Sequence, residues 1–240
     1  MLVISRNNKT CLLMFSGGYD SLLAPCYLIE QGYDVLLVTF NNGLEKNLKT
    51  IEVNVERLTN LYGNKIQFLG IKNVAGLMRK FLIPYLTGRK EFKYNLKPME
   101  IVCLSCRTAM YTRSIVECLL MDIKYIAEGA RESQGYPEQQ APVIEALQGL
   151  CQRYSIELLL PVYNETKENE KEALIMRNII PKTTEPYCTF QMPLYEYKPS
   201  KGTVNEMRRL LDEYLLPQAQ ESILKLSTLL KVQCGEEVLV

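Results

Sequence analysis

Hydrophobic residues over the first 160 positions fall into short runs of strand length, separated by longer segments with helical spacing. The run at 34–40 is β-branched and apolar on both faces, which is typical of a strand buried in a parallel sheet. Strands are predicted at 10–15, 34–40, 65–71, 124–128 and 157–162. Helices are predicted at 21–31, 45–62 and 74–86, from Cys106 to about Met121, and within 135–154. This alternation predicts an α/β fold with a doubly wound parallel sheet, whose ligand site lies at the carboxyl ends of the strands.

Two further segments depart from this alternation. The polar, lysine-rich stretch 88–100 is predicted to be an inserted loop. Beyond residue 200, helices are predicted at 204–215 and 218–230, separated by Pro217. Their apolar face packs either on the core of the same domain or on a partner subunit of a homodimer. We therefore expect a main domain over 1–198 and a C-terminal helical extension over 199–240. The residues of that apolar face are Leu210, Leu211, Tyr214 and Leu215.

Composition narrows the classes of function. The 240 residues are 47% hydrophobic and 23% charged, as in globular proteins with a real core, and the formal net charge is +1. A charge near zero disfavours a dedicated nucleic-acid surface but leaves room for a local basic patch. The chain lacks histidine, which excludes Ser-His-Asp and Cys-His catalysis and histidine metal sites. Without an apolar run of bilayer length or a signal-like N-terminus, the protein is expected to be cytoplasmic.

The segment Ser16-Gly17-Gly18-Tyr19-Asp20-Ser21 stands between the first strand and the first helix. Its glycines allow the backbone to approach an anion, and the amides of a helix N-terminus favour phosphate. It is not a Walker loop, because no Gly-Lys-Ser/Thr follows. The alternative is an ordinary Gly-Gly turn with Asp20 or Ser21 as the helix N-cap.

This hexamer, in this setting, resembles the PP-loop of the N-type ATP pyrophosphatases. The resemblance implies an adenine nucleotide α hydrolase-like fold, which binds ATP and Mg²⁺, adenylates an acceptor and releases pyrophosphate. It implies that Asp20 holds Mg²⁺ and takes part in catalysis. Pro25 is a departure, because it would kink a helix that begins at Asp20. The residues expected to contact ATP or pyrophosphate are Ser16, Gly17, Gly18, Tyr19, Asp20, Ser21, Thr39, Phe40, Gly129 and Ala130.

A second set of residues resembles the cyano-deazaguanine synthase branch of this superfamily. Gly135-Tyr136-Pro137-Glu138 is similar to the Gly-Tyr-Pro-Asp segment that contributes to the substrate side in that branch. Thr166-Lys167-Glu168 is similar to the Thr-Lys-Ala-Glu segment that follows a later strand. The resemblance implies that Lys167 is a phosphate ligand. The alternative is one more solvated lysine within the charged run 165–172.

Seven of the eight cysteines separate into groups by their surroundings, and Cys234 near the C-terminus is uninformative. Cys103 and Cys106 stand one turn apart and can face one point if a helix begins there. A helix N-terminus would also lower the pKa of both thiols. Cys188 lies in a proline-bounded loop after the last predicted sheet element. Four others fall inside apolar patterns and are predicted to be core residues: Cys11, Cys26, Cys118 and Cys151.

Cys103-x-x-Cys106 with a distant Cys188 resembles the tRNA thiouridine synthetases of the PP-loop superfamily. The resemblance implies either a [4Fe–4S] cluster held by Cys103, Cys106 and Cys188 or a persulfide relay through these thiols. Zinc is less favoured, because the four-cysteine cluster of the cyano-deazaguanine synthases is missing and a fourth ligand would be needed.

The leading hypothesis is therefore an ATP-dependent adenylating sulfurtransferase that uses Cys103, Cys106 and Cys188. Its acceptor is a tRNA base or a small molecule, and a sulfur donor protein is a candidate partner. The first alternative replaces sulfur with ammonia and forms an amide or nitrile on a deazapurine. The second alternative is an adenine-nucleotide-binding module without catalysis. The basic segment 79–97 either contacts tRNA phosphates or is a solvated loop.

Overall fold

A five-stranded parallel sheet forms the centre of the molecule. The computed structural model describes residues 9–88, 93–180, 187–188 and 197–233. The sheet strands are β1 (Lys9–Met14), β2 (Tyr33–Asn41), β4 (Ile66–Asn73), β5 (Tyr125–Glu128) and β6 (Glu157–Leu159), in the spatial order β4-β2-β1-β5-β6. A separate antiparallel pair joins β3 (Glu45–Lys46) to β7 (Tyr187–Cys188). The predicted doubly wound sheet is confirmed, and its strand order reverses between β1 and β5, where such folds bind ligands.

Helices cover both faces of this sheet. They are α1 (Tyr19–Glu30), α2 (Ile51–Tyr62), α3 (Ala75–Leu86), α4 (Pro98–Met121), α5 (Ala141–Gln152), α6 (Lys167–Met176), α7 (Lys201–Leu210) and α8 (Leu216–Gln233). Along β1, Cys11 and Leu13 pack with α1, α2 and α6, whereas Leu12 and Met14 pack with the other five helices. Alternate side chains of one strand thus enter two different cores. Of the helices described, none has the length and apolarity needed to span a membrane.

The start of α4 differs from the prediction. The helix begins at Pro98, inside the stretch expected to be a loop, and the Glu100 carboxylate accepts a hydrogen bond from the Lys97 amide at 2.7 Å. This cap and the favourable first-turn proline place the helix start upstream of both cysteines. Cys103 and Cys106 therefore lie inside the helix rather than at its N-terminus. For Cys103 the expected lowering of the pKa is wrong, because burial raises it.

The C-terminal helices pack on the sheet domain. A π-helical turn at 211–215 joins α7 to α8, so Pro217 falls in the first turn of α8 and does not separate two helices as predicted. Leu210, Leu211 and Leu215 are fully buried in the core that also contains Leu12 of β1. The extension packs mainly against α4. Of the two predicted packing partners for this apolar face, the structure shows the core of the same chain. The domain boundary at 198 stays a prediction.

Four cysteines are core residues. Cys11, Cys26, Cys118 and Cys151 have no exposed surface, which confirms their predicted place. Burial in apolar surroundings raises the pKa of Cys11 and Cys151, the latter to about 12. These thiols are therefore neutral and unreactive, and any cysteine chemistry belongs elsewhere.

Because the C-terminal helices share the main core, Leu211→Ala is expected to lower the free energy of unfolding of the whole chain by about 3 kcal/mol. The exposed Leu224→Ala, also from this region, should change it by less than about 0.5 kcal/mol. Urea unfolding followed by circular dichroism measures both values. Two separate transitions, with only the smaller one moved by Leu211→Ala, would contradict a shared core.

Candidate active site

A cavity of about 260 Å³ opens at the carboxyl ends of β1, β2 and β5, where the strand order reverses. It brings together most of the predicted site residues: Ser16, Gly18, Asp20, Ser21, Thr39, Phe40, Cys103, Cys106, Gly129 and Cys188. Four predicted residues lie outside its lining: Gly17, Tyr19, Ala130 and Lys167. Ala130 is buried in the core and Lys167 is exposed at the start of α6, and the roles expected for these four residues stay predictions.

The loop 16–21 has the geometry of an anion cradle. Gly17 has φ +81°, a conformation that glycine adopts without strain, and its carbonyl accepts a hydrogen bond from Asn54 Nδ2 at 2.9 Å. Helix α1 begins at Tyr19, so Asp20 and Ser21 lie inside its first turn rather than at the N-cap. Within the described ranges no side chain caps this helix, so its first amides keep hydrogen-bond donors that a ligand could use.

Gly129 at the end of β5 touches the first turn of α1. A Cβ atom at this position would lie 2.8 Å from both the carbonyl carbon of Asp20 and the amide nitrogen of Ser21. Only glycine therefore allows the strand end to approach the loop this closely. On the other side, the Thr39 hydroxyl donates to the Phe15 carbonyl at 2.7 Å and holds the ends of β1 and β2 together.

Asp20 is held by a cluster of polar side chains that the sequence did not reveal. Gln134 Nε2 donates to its carboxylate, and Arg131 Nε lies 3.3 Å from Asp20 Oδ1. Arg131 Nη1 also lies 3.1 Å from Glu170 Oε2 of α6. Burial, together with the neighbouring Asp20, raises the pKa of Glu170 well above its usual value, although Arg131 opposes the shift. Arg131, Gln134 and Glu170 belong to no recognised sequence motif, so the sequence did not predict that they contact Asp20.

A face of α4 forms another wall of the cavity. Cys103, Cys106, Arg107 and Met110 follow helical spacing along this face. Asn42, after β2, donates a hydrogen bond from Nδ2 to Cys106 Sγ at 3.1 Å. Burial and the nearby Glu138 carboxylate raise the pKa of Cys103, so the surroundings of Cys103 disfavour its thiolate.

Carboxylates and amides form the remaining wall. The buried Glu128 pairs with Arg107, and burial raises the pKa of Glu138 although Arg107 opposes the shift. Glu138 Oε2 and Gln139 Oε1 are buried acceptors with no hydrogen-bond partner in the part of the chain that the structure describes. Unsatisfied buried acceptors are costly, so they indicate a ligand with N–H or O–H donors.

The side chains of the cavity differ in how well they suit the implied metals. Among residues 9–88, 93–180, 187–188 and 197–233, no three Cys, Asp or Glu side chains are grouped to hold a metal ion. Cys103, Cys106 and Cys188 share the cavity without forming a ligand set, so neither a [4Fe–4S] cluster nor zinc fits this arrangement. The single carboxylate of Asp20 is compatible with Mg²⁺, because Mg²⁺ binds proteins through one or two carboxylates together with substrate phosphates.

Comparisons with known proteins agree with this fold. The family model of queuosine biosynthesis protein QueC matches residues 10–188. A search of curated proteins found no match. The structure of a 4-thiouridine synthetase in complex with RNA and bound ATP is 16% identical, with a TM-score of 0.61 over 90% of this chain. The chain spans 53% of that protein. NMN synthetase from Francisella tularensis is 12% identical, with a TM-score of 0.52 over 98% of this chain and 90% of the synthetase. Both likenesses concern the fold.

Gly129→Ala is expected to lower the free energy of unfolding by about 1–3 kcal/mol and to weaken ATP binding, because the added methyl group pushes β5 away from α1. Gly76→Ala in α3 is the matched control, since a Cβ atom there meets open space. It should leave binding unchanged. Urea unfolding and calorimetric titration with MgATP measure both effects, and wild-type ATP affinity in Gly129→Ala would contradict the close approach.

Glu170 is expected to make stability depend on pH. With a raised pKa in the folded protein, the folded state binds more protons than the unfolded chain above the usual carboxyl pKa of 4.5. The free energy of unfolding should therefore fall between about pH 5 and pH 9, because the pKa of Glu170 is raised to about 9, and Glu170→Gln should flatten this decline. Urea midpoints across this range measure it, with the exposed Glu168→Gln as control. Equal slopes in all three proteins would refute the shift.

Proposed function

The chain belongs to the QueC family of the PP-loop superfamily, and from this we propose that it uses ATP and ammonia to convert a carboxylate into an amide or nitrile. The predicted superfamily and fold are confirmed by the family match and by the sheet. The chain is an ATP-dependent PP-loop enzyme. The proposed acceptor is a small deazapurine, as the cyano-deazaguanine synthase resemblance implies.

One observation carries the proposal. The PP-loop residues 16–21 and the Tyr136-Pro137-Glu138 segment contribute to the walls of one cavity. The sequence places these segments more than 100 residues apart, and each resembles a different half of the family's site. A nucleotide on the loop would therefore lie within the same cavity as an acceptor beside Glu138.

The ATP side follows from the loop geometry. A carboxylate oxygen of the acceptor attacks the α-phosphorus, and the bond to pyrophosphate breaks. Negative charge then grows on pyrophosphate, and the first-turn amides of α1 and the Ser16 hydroxyl, which lines the cavity, would donate hydrogen bonds to it. When bound, Mg²⁺ would be held by Asp20 and would neutralise part of this charge. Arg131 and Gln134 orient the Asp20 carboxylate.

The acceptor side uses the opposite wall. Glu138 Oε2 and Gln139 Oε1 are the unsatisfied acceptors, and they suit the N–H groups on the edge of a purine-like ring. Arg107 offsets the charge of Glu128 and Glu138, which keeps a carboxylate-bearing acceptor from meeting a purely negative surface.

Sulfur insertion is the second candidate, in which a tRNA base or small molecule is adenylated and then attacked by a persulfide. The observation that favours it is the presence of Cys103, Cys106 and Cys188 in one cavity. Because no cluster ligand set is found among the described residues, the persulfide relay is the form of this candidate that we propose. Both candidates share the adenylation step and differ only in the nucleophile.

The test supplies the protein with MgATP and carboxy-deazaguanine, and adds either ammonium or sulfide. We expect release of pyrophosphate and AMP with ammonium, and an amide or nitrile product by mass spectrometry. A thiolated product formed only with sulfide would favour the second candidate. ATP binding without pyrophosphate release for any acceptor would indicate a nucleotide-binding module.

Glu138→Gln is expected to raise the KM for the acceptor about 10- to 100-fold, because a hydrogen bond to a charged group is lost. The KM for ATP should stay unchanged, since Glu138 faces the acceptor. Steady-state kinetics with each substrate varied in turn measure this difference. The exposed Glu132→Gln is the control, and an equal effect on both KM values in Glu138→Gln would argue against the assignment.

A further inference from the structure

Cys106 is a half-buried thiol in the wall of the cavity that would hold the adenylated acceptor. We propose that Cys106 attacks the acyl adenylate and carries the acceptor as a thioester until ammonia arrives. This inference rests on the proposed amidation and adds a covalent step to it.

The first argument is the orientation of Asn42. Its Oδ1 accepts a hydrogen bond from the Leu44 amide at 2.7 Å, so the two ends of the side-chain amide cannot be exchanged. Nδ2 must therefore face Cys106 Sγ, at 3.1 Å, and the sulfur accepts this bond. Asn42 is only 6% exposed, which keeps the donor fixed. A fixed N–H donor stabilises negative charge on sulfur, as a nucleophilic thiolate requires.

The second argument is the contrast with Cys103. One turn earlier on the same face of α4, the Cys103 thiol is disfavoured as an anion by burial and by the Glu138 carboxylate. Cys106 instead receives the hydrogen bond from Asn42 Nδ2, at 3.1 Å. The two thiols of the motif therefore have different surroundings, and the structure assigns the nucleophile to Cys106.

The third argument is the unfilled hydrogen-bonding capacity in the lining of the same cavity. Gln139 is 7% exposed, and its Oε1 has no hydrogen-bond partner within the described ranges. Glu138 Oε2 is similarly buried and unsatisfied. Both residues line the cavity that Cys106 lines. An acceptor held by these oxygens and adenylated at the PP-loop has its acyl carbon within this same cavity.

The chemistry balances without an oxidant or reductant. The Cys106 thiol loses its proton to solvent, and the thiolate attacks the acyl carbon, forming a C–S bond. The C–O bond to AMP breaks, and AMP leaves with the electron pair. Ammonia then attacks the thioester carbon, a C–N bond forms, and the C–S bond breaks. The surplus ammonium proton returns to sulfur and restores the thiol.

The test is a single turnover of the full chain with MgATP and carboxy-deazaguanine, in the absence of ammonia. We expect a covalent adduct of the acyl group, located on Cys106 by peptide mass spectrometry and discharged to the amide when ammonium is added. Cys106→Ser should still release pyrophosphate but form no adduct, and its amide formation should fall at least about 100-fold. The core substitution Cys151→Ala is the matched control and should behave as the wild type.

Asn42→Asp tests the positioning role separately. The aspartate keeps an oxygen acceptor for the Leu44 amide but replaces the donor that faces sulfur. Thioester formation should slow about tenfold or more, while the pyrophosphate burst is unchanged. A merely structural role would slow both steps.

The outcomes separate the two proposals. Pyrophosphate release with no adduct in the wild type, or an adduct mapped to Cys103 or Cys188, overturns the assignment and leaves the amidation intact. Amide formation by Cys106→Ser at the wild-type rate does the same. No pyrophosphate release by the wild type with this acceptor overturns the proposed amidation, and the thioester with it.

Discussion

The close approach between the end of β5 and the first turn of α1 is the contact on which the site depends. Gly129 has no side chain, and any Cβ atom there would overlap the backbone of Asp20 and Ser21. This contact places the loop 16–21, which follows β1, beside residues that follow β5. Because the strand order reverses at this point, the helices diverge above it and leave room for a ligand. The cavity is thus a consequence of topology and of one glycine.

Asp20 shows how such a site is stiffened. A carboxylate at the rim of a cavity would otherwise adopt several rotamers, and here Gln134 and Arg131 restrict it. Glu170 completes the cluster through its ion pair with Arg131. It belongs to α6, which packs on one face of the sheet, whereas α4 packs on the other. The cluster therefore couples the packing of α6 to the orientation of the predicted Mg²⁺ ligand. On the other wall, Asn42 restrains Cys106 in a similar way.

The fold was largely readable from the sequence because its determinants are local. Apolar runs such as 34–40 match buried parallel strands, and the hexamer at 16–21 marks the strand-to-helix turn. Where the prediction failed, a local signal was outweighed. The cap at Lys97 and Glu100 started α4 early, and a π-helical turn before Pro217 kept the C-terminal helices continuous. The three cysteines suggested a cluster, but the described residues hold no such ligand set.

The sequence by itself determined the superfamily, the strand-helix alternation and the glycine-containing turn at 16–21, since each rests on neighbouring residues and their spacing. Only the tertiary structure decided which side chains surround Asp20, because Arg131, Gln134 and Glu170 are more than 100 positions away from it. It also distinguished Cys103 from Cys106, which the motif treats as equivalent. Burial and hydrogen bonding set the character of a thiol, and both depend on elements that meet only after folding.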